Sequence, residues 1–160
     1  FREIWAGFIG YLGIIIFAIV GLIGTLIVIG IYNLIQGESE SAAGASHPIV
    51  GMLDASDGIL GKLFLLFFAA GLAPFLEETM FRGSLFRFMR NGMGFVLSSL
   101  IGGVIFAIIH PQGIFALPAL CSMGIGFALL REWRDSLIAP MVAHALNNGM
   151  IVLLLITVIS

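Results

Sequence analysis

Six side chains in this sequence could do chemistry, and they fall into three short patterns. Glu77-Glu78-x-x-x-Arg82 supplies two adjacent carboxylates and a guanidinium. Phe106-x-x-x-His110 supplies an imidazole, and His144-x-x-x-Asn148 an imidazole and an amide. On a helix, Glu78 and Arg82 share a face in the favourable order for an ion pair. Glu77 is rotated from them by about 100° and points elsewhere. One carboxylate is thus neutralised locally, and the other is free to act. Glutamate and histidine carry protons in hydrolases and in transport relays alike. Glu77 with His110 and His144 is also a possible ligand set for one divalent metal such as zinc. The His-Glu-x-x-His pattern of soluble zinc peptidases is missing, however, and a metal-free site is the expectation.

The elements that must position these groups are membrane helices. Of 160 residues, 60% are hydrophobic and 10% charged, and the mean hydropathy is +1.15. Soluble domains carry about 25% charged residues, so the solvent around most of this chain is lipid. The expected class is an all-α polytopic bundle of about five spans with a polar cavity inside the membrane. A net charge of −2 gives no sign of a nucleic-acid partner, and a single cysteine, Cys121, excludes an internal disulfide.

A first span is expected within Trp5–Ile35, followed by a polar stretch at Gln36–Asp57 that reads as an exposed loop with room for a short surface helix. The second apolar run, Leu63–Leu76, has only 14 residues, whereas a crossing takes about 20. To complete it, the helix must continue through Glu77, Glu78 and Arg82 toward Arg90, which puts those charges inside the membrane domain. Pro74 is expected to kink this helix and free a carbonyl one turn earlier. Asn91–Leu130 holds no Asp, Glu, Lys or Arg. It divides at His110-Pro111-Gln112-Gly113 into a third span near 95–109 and a fourth near 114–130. Arg131 to Asp135 is a polar connection, and a fifth span covers about 137–156. Arg2, Arg87, Arg90, Arg131 and Arg134 then share one side, and Lys62 and the acidic loop the other. Charge bias makes the arginine side cytoplasmic in a bacterial plasma membrane. At ~1.5 Å per residue, Glu77, His110 and His144 reach similar depths, provided that the second helix is continuous past Arg82.

Each pattern alone has a plain reading: a helix-end salt bridge, an interfacial histidine before Pro111, a hydrogen bond that glues two helices. Together they are a heavy burden, since charged groups cost about 2.5–3.5 kcal/mol each at the centre of a membrane helix. They are tolerable where they pair or face a wet cavity. Ser84, Ser98 and Ser99 lack a base at fixed spacing, and Cys121 reads as packing. Gly103 and Ser99 share the face of Phe106 and His110, where small residues let helices approach or leave room for a substrate.

The three patterns, in this order on successive hydrophobic segments, resemble the motifs of the CPBP family. These are the CAAX proteases and bacteriocin-processing enzymes, also called Abi-domain proteins and often described as metalloproteases. The resemblance runs from Gly58 to Ile156 and includes Ala73-Pro74 and Phe81-Arg82-Gly83. It implies that residues 1–57 hold a first helix and loop and that 58–160 form the catalytic core. It implies an intramembrane endopeptidase acting on a membrane-associated peptide or protein. Glu77 would activate the water and His110 would help to hold it. His144 and Asn148 would donate to the oxyanion, and Glu78 with Arg82 would fix local charge. Two rivals stand beside it: a non-catalytic immunity or scaffold protein on the same fold, and a proton-coupled transporter.

Overall fold

In hydrocarbon, each backbone N–H and C=O must be satisfied within the chain, and apolar runs of this length do so as helices. The computed structural model describes residues 1–36, 48–54 and 58–159, and every regular element among them is helical. Helix α1 is Arg2–Gln36 and α2 is the short Pro48–Asp54. Helix α3 runs unbroken over Gly58–Gly92, and α4 is Phe95–Ile108. A 3-10 turn at Ile114–Ala116 leads into α5, Leu117–Arg134, and α6 is Ile138–Ile159. The protein is an all-α integral membrane bundle. Of the polar stretch at 36–57, residues 37–47 and 55–57 lie outside the described residues, and α2 forms within the remainder.

Among the described residues, four helices are long and apolar enough to cross a membrane: α1, α3, the segment Ile114–Arg134, and α6. The expected third span, near 95–109, is the short one. Helix α4 has 14 residues, and at ~1.5 Å each these cover about 21 Å of a hydrocarbon core about 30 Å thick. It stops short where Gly113, with a φ of 80°, turns the chain back toward α5. His110 therefore ends beside the middle of α3. That helix is continuous past Arg82, as the depth of the three motifs requires.

Small residues bring these helices close. A Cβ added at Gly124 of α5 would lie 2.9 Å from the Gly103 Cα of α4, and one at Gly103 would lie 2.8 Å from the Cys121 carbonyl oxygen. Neither position has room for a side chain. Helix α1 packs against α5 and α6, with Gly21 against Ala119. Its other side is a wall of exposed leucine and isoleucine, Leu12 and Leu26 among them, as lipid contact demands.

Ion pairs tie one end of the bundle together. Arg134 reaches Glu3 at the start of α1 at 2.6 Å, and Arg90 near the end of α3 donates through Nε to Glu132 at 3.1 Å. The end of α5 is closed by Asp135, which adopts a left-handed φ of 46° and accepts from Arg131 at 2.8 Å. These arginines gather on one side, as the span assignment expects.

The α4–α5 crossing makes a prediction. Gly103→Val should destabilise the protein by about 1–3 kcal/mol through overpacking, read as a lower thermal midpoint in detergent. Gly92→Ala, where nothing beyond the local helix backbone lies within 4 Å of the added carbon among the described residues, should leave the midpoint unchanged.

Candidate active site

Helix α3 is not uniform, and its irregularities start from Pro74. Residues Phe68–Leu72 form a π-helical turn, closed by the Ala73 N–H donating to the Phe68 carbonyl five residues back. In that register the next donor, for the Ala69 carbonyl, is residue 74. Proline has no N–H, so the Ala69 carbonyl is orphaned. Asn148 of α6 supplies the missing donor: its Nδ2 lies 3.1 Å from the Ala69 oxygen. The freed carbonyl expected at Pro74 thus becomes the tie between α3 and α6.

One α-helical turn, Ala73–Glu78, carries both glutamates, and a second π turn follows at Thr79–Leu85. There the Phe86 N–H donates to Phe81, and Ser84 Oγ donates to the Thr79 carbonyl at 3.4 Å. Arg82 sits in this widened turn with 2% of its surface exposed. Its Nη1 pairs with Glu78 Oε1 at 3.0 Å and its Nη2 donates to the Gly124 carbonyl at 2.8 Å. The faces of Phe106 and Phe127 flank the guanidinium, with centroids at 4.8 and 5.2 Å, a favourable arrangement for a desolvated cation.

Glu78 is fully buried, and Oε1 has a second partner, His144 Nδ1 at 2.8 Å. Beside Arg82 the carboxylate is an acceptor, so the proton of this bond lies on Nδ1. Phe127 stacks on the imidazole at 4.6 Å and 21°, fixing the plane of the ring. In the neutral ring Nε2 is then an unprotonated lone pair, and it points toward Glu77, with Oε2 at 3.7 Å. His110 arrives at the same place from α4. Its Nδ1 bonds the Phe106 carbonyl four residues back. A carbonyl can only accept, so Nδ1 carries the proton here as well, and His110 Nε2 faces Glu77 Oε2 at 3.4 Å. Two imidazole lone pairs and one carboxylate oxygen thus converge. Glu77 Oε2 is itself covered by its neighbours and has no direct hydrogen bond among the described residues, although the Glu77 side chain is 28% exposed and lines the cavity described next.

These atoms lie at the polar end of a cavity of about 350 Å³. Leu65, Phe68, Met123, Ile151 and Val152 make its apolar walls; Glu77, His110, His144, Asn147 and Asn148 face it. Glu78 and Arg82 do not line it and act from behind, on His144. Among the described residues, no three His, Cys, Asp or Glu side chains are disposed to hold a metal ion.

Sequence reading overlooked Asn147, Gly124 and Phe127. Asn147 carried a usable signal, a second amide inside an apolar span. Gly124 and Phe127 carried none, since a glycine and a phenylalanine in such a span are ordinary packing. Ser98 and Ser99 are buried on α4 with no hydrogen-bond partner among the described residues, and Cys121 is half-buried.

Residues 59–150 match the family described as type II CAAX prenyl endopeptidase Rce1-like. That stretch contains all six residues of the three motifs. The chain is also 32% identical over 94 residues to the membrane-embedded CAAX protease MroQ of Staphylococcus aureus (strain USA300), a match covering 55% of this chain and 38% of that protein. The chain thus spans well under half of that relative's length. No solved structure matches it. With the match extending over more than half of the sequence and over every motif of the site, the chain belongs to the Rce1-like family of type II CAAX prenyl endopeptidases.

Proposed function

We propose that this protein is an intramembrane endopeptidase that hydrolyses peptide bonds of membrane-associated substrates with a water activated by Glu77. The observation that carries the reading is the convergence of Glu77 Oε2 on the Nε2 atoms of His110, at 3.4 Å, and His144, at 3.7 Å, at the end of a largely apolar cavity. Both nitrogens present lone pairs, so a water here donates one hydrogen bond to the carboxylate and one to an imidazole, which leaves its oxygen lone pair free for attack.

Glu77 takes a proton as the water oxygen bonds to the scissile carbonyl carbon. The carbonyl oxygen becomes an oxyanion. His144 Nε2, as a bare lone pair, helps to hold the water and does not donate to the oxyanion. Asn148 has one N–H committed to the Ala69 carbonyl and contributes its other to the oxyanion. Collapse of the intermediate breaks the C–N bond, and the proton on Glu77 passes to the leaving amine. Electrostatic stabilisation of this kind is usually the largest single term in catalysis.

The cavity's apolar walls suit side chains drawn from a membrane-associated peptide or protein, and the family description supports a lipidated C-terminus as one such substrate. Clustering of arginines at one end supports a cytoplasmic orientation for that end in a bacterial plasma membrane. No metal takes part in these steps.

Three outcomes are expected. Against a panel of fluorogenic membrane peptides, Glu77→Gln should lose about two to four orders of magnitude in kcat with an unchanged thermal midpoint; equal rates in the two proteins contradict the peptidase reading. Treatment with a strong chelator should leave the cleavage rate unchanged. Loss of activity that added zinc restores would mean a metal enzyme. Glu78→Gln strands the Arg82 charge, so it should cost about 3–5 kcal/mol of stability in addition to activity, which a thermal melt beside the assay would separate.

A further inference from the structure

Pro74 sets the direction of an amide that the proposed chemistry does not use. We propose that this amide, Asn147, is a substrate-positioning residue whose Oδ1 accepts a hydrogen bond from a backbone N–H of the bound peptide. The proposal deepens the peptidase reading and rests on it.

The Ala69 carbonyl oxygen can only accept, so the Asn148 atom facing it at 3.1 Å is Nδ2. Asn148 Oδ1 is then turned the other way, and an amide oxygen also only accepts. The Asn147 atom meeting it at 3.4 Å is accordingly Nδ2. Asn147 Oδ1 is left pointing away from Asn148. It takes no hydrogen bond from the described residues, yet it is not among the sealed polar atoms without a partner. Asn147 is 9% exposed and lines the cavity, so the open lone pairs of Oδ1 belong to that surface. A proline in α3 therefore dictates, through two amides in α6, that the cavity presents an acceptor and not a donor at this point.

Peptides entering an apolar cavity give up the water on their amides, and an N–H left bare there is costly. An acceptor that meets the main chain lowers this cost whatever side chains the substrate bears. Asn147 and His144 are three residues apart on α6, which puts their Cβ atoms roughly 5–6 Å from each other. An extended peptide advances about 3.3–3.6 Å per residue. The N–H that Asn147 reads is thus one or two residues from the scissile bond. Asn147 does not touch the reacting atoms.

The test uses the full chain in lipid nanodiscs carrying Glu77→Gln, so that bound peptide stays intact. The probe is a fluorescein-labelled hydrophobic peptide whose cleavage point has been mapped with the unsubstituted protein, together with a series in which each backbone N–H is methylated in turn. One methylation, within two residues of the scissile bond, should weaken binding about tenfold. In Glu77→Gln/Asn147→Leu, the parent peptide should already be weakened by that factor, and the same methylation should cost nothing more. Asn147→Ala is carried in parallel, so that a replacement that fails to fold does not decide the result. A methylation series with no sensitive position, or equal losses with and without Asn147, overturns the inference and leaves the peptidase reading standing. A peptide that binds to none of the proteins overturns both.

Discussion

Arg82 brings a permanent positive charge to a place with almost no water, and a charge there is tolerated only among groups that neutralise it. An unpaired guanidinium would cost several kcal/mol even after relaxation, so each neighbour is constrained. Glu78 lies one turn away to supply the countercharge at 3.0 Å, and Gly124 offers a carbonyl that a larger residue at that crossing would push out of reach. Phe106 and Phe127 turn their faces to the cation. The consequence for chemistry is indirect. With Arg82 satisfied, Glu78 remains a carboxylate whose Oε1 also holds His144 by Nδ1, and the opposite nitrogen of that ring is aimed at Glu77. The neighbouring glutamates are separated by environment: one is locked among partners, while the other faces the cavity.

A regular helix would not deliver this arrangement. The turn bearing Glu77 and Glu78 is bracketed by two π turns, and such bulges are common at functional sites because they re-aim side chains within a continuous helix. The first follows from Pro74, whose missing N–H is made good by Asn148 across the bundle. A single hydrogen bond thereby joins the helix of the carboxylates to the helix of His144. Short α4 brings His110 to the same level because the chain reverses at Gly113 before a full crossing.

Much of this is legible in the sequence, for identifiable reasons. Apolar runs mark the helices because lipid admits little else, and the length of Leu63–Leu76 forces Glu77, Glu78 and Arg82 into the membrane domain. The Glu78–Arg82 pair follows from spacing, and Pro74 announces an orphaned carbonyl. What stays hidden depends on contacts between distant segments. That Glu78 holds His144, 66 residues away, cannot be read from either motif. Asn148 is recognisable as a polar group in an apolar helix, but its partner is fixed only by the register of the π turn. The second π turn contains no proline and gives no signal. The short α4 is legible as the apolar run at 95–109, but hydropathy does not reveal that the turn after it sets His110 beside Glu77.

The central claim concerns protons: both site histidines carry theirs on Nδ1 and turn a bare Nε2 toward Glu77. Solid-state NMR of ¹⁵N-histidine-labelled protein in lipid bilayers, at a pH where the imidazoles are neutral, reads this directly from the nitrogen shifts. The account predicts the Nδ1–H tautomer for His110 and His144 and, in Glu78→Gln, a change at His144 with His110 unaffected. An Nε2–H tautomer at His144 in the unsubstituted protein would contradict it, because that ring could not be held by Glu78 and present a lone pair to the carboxylate.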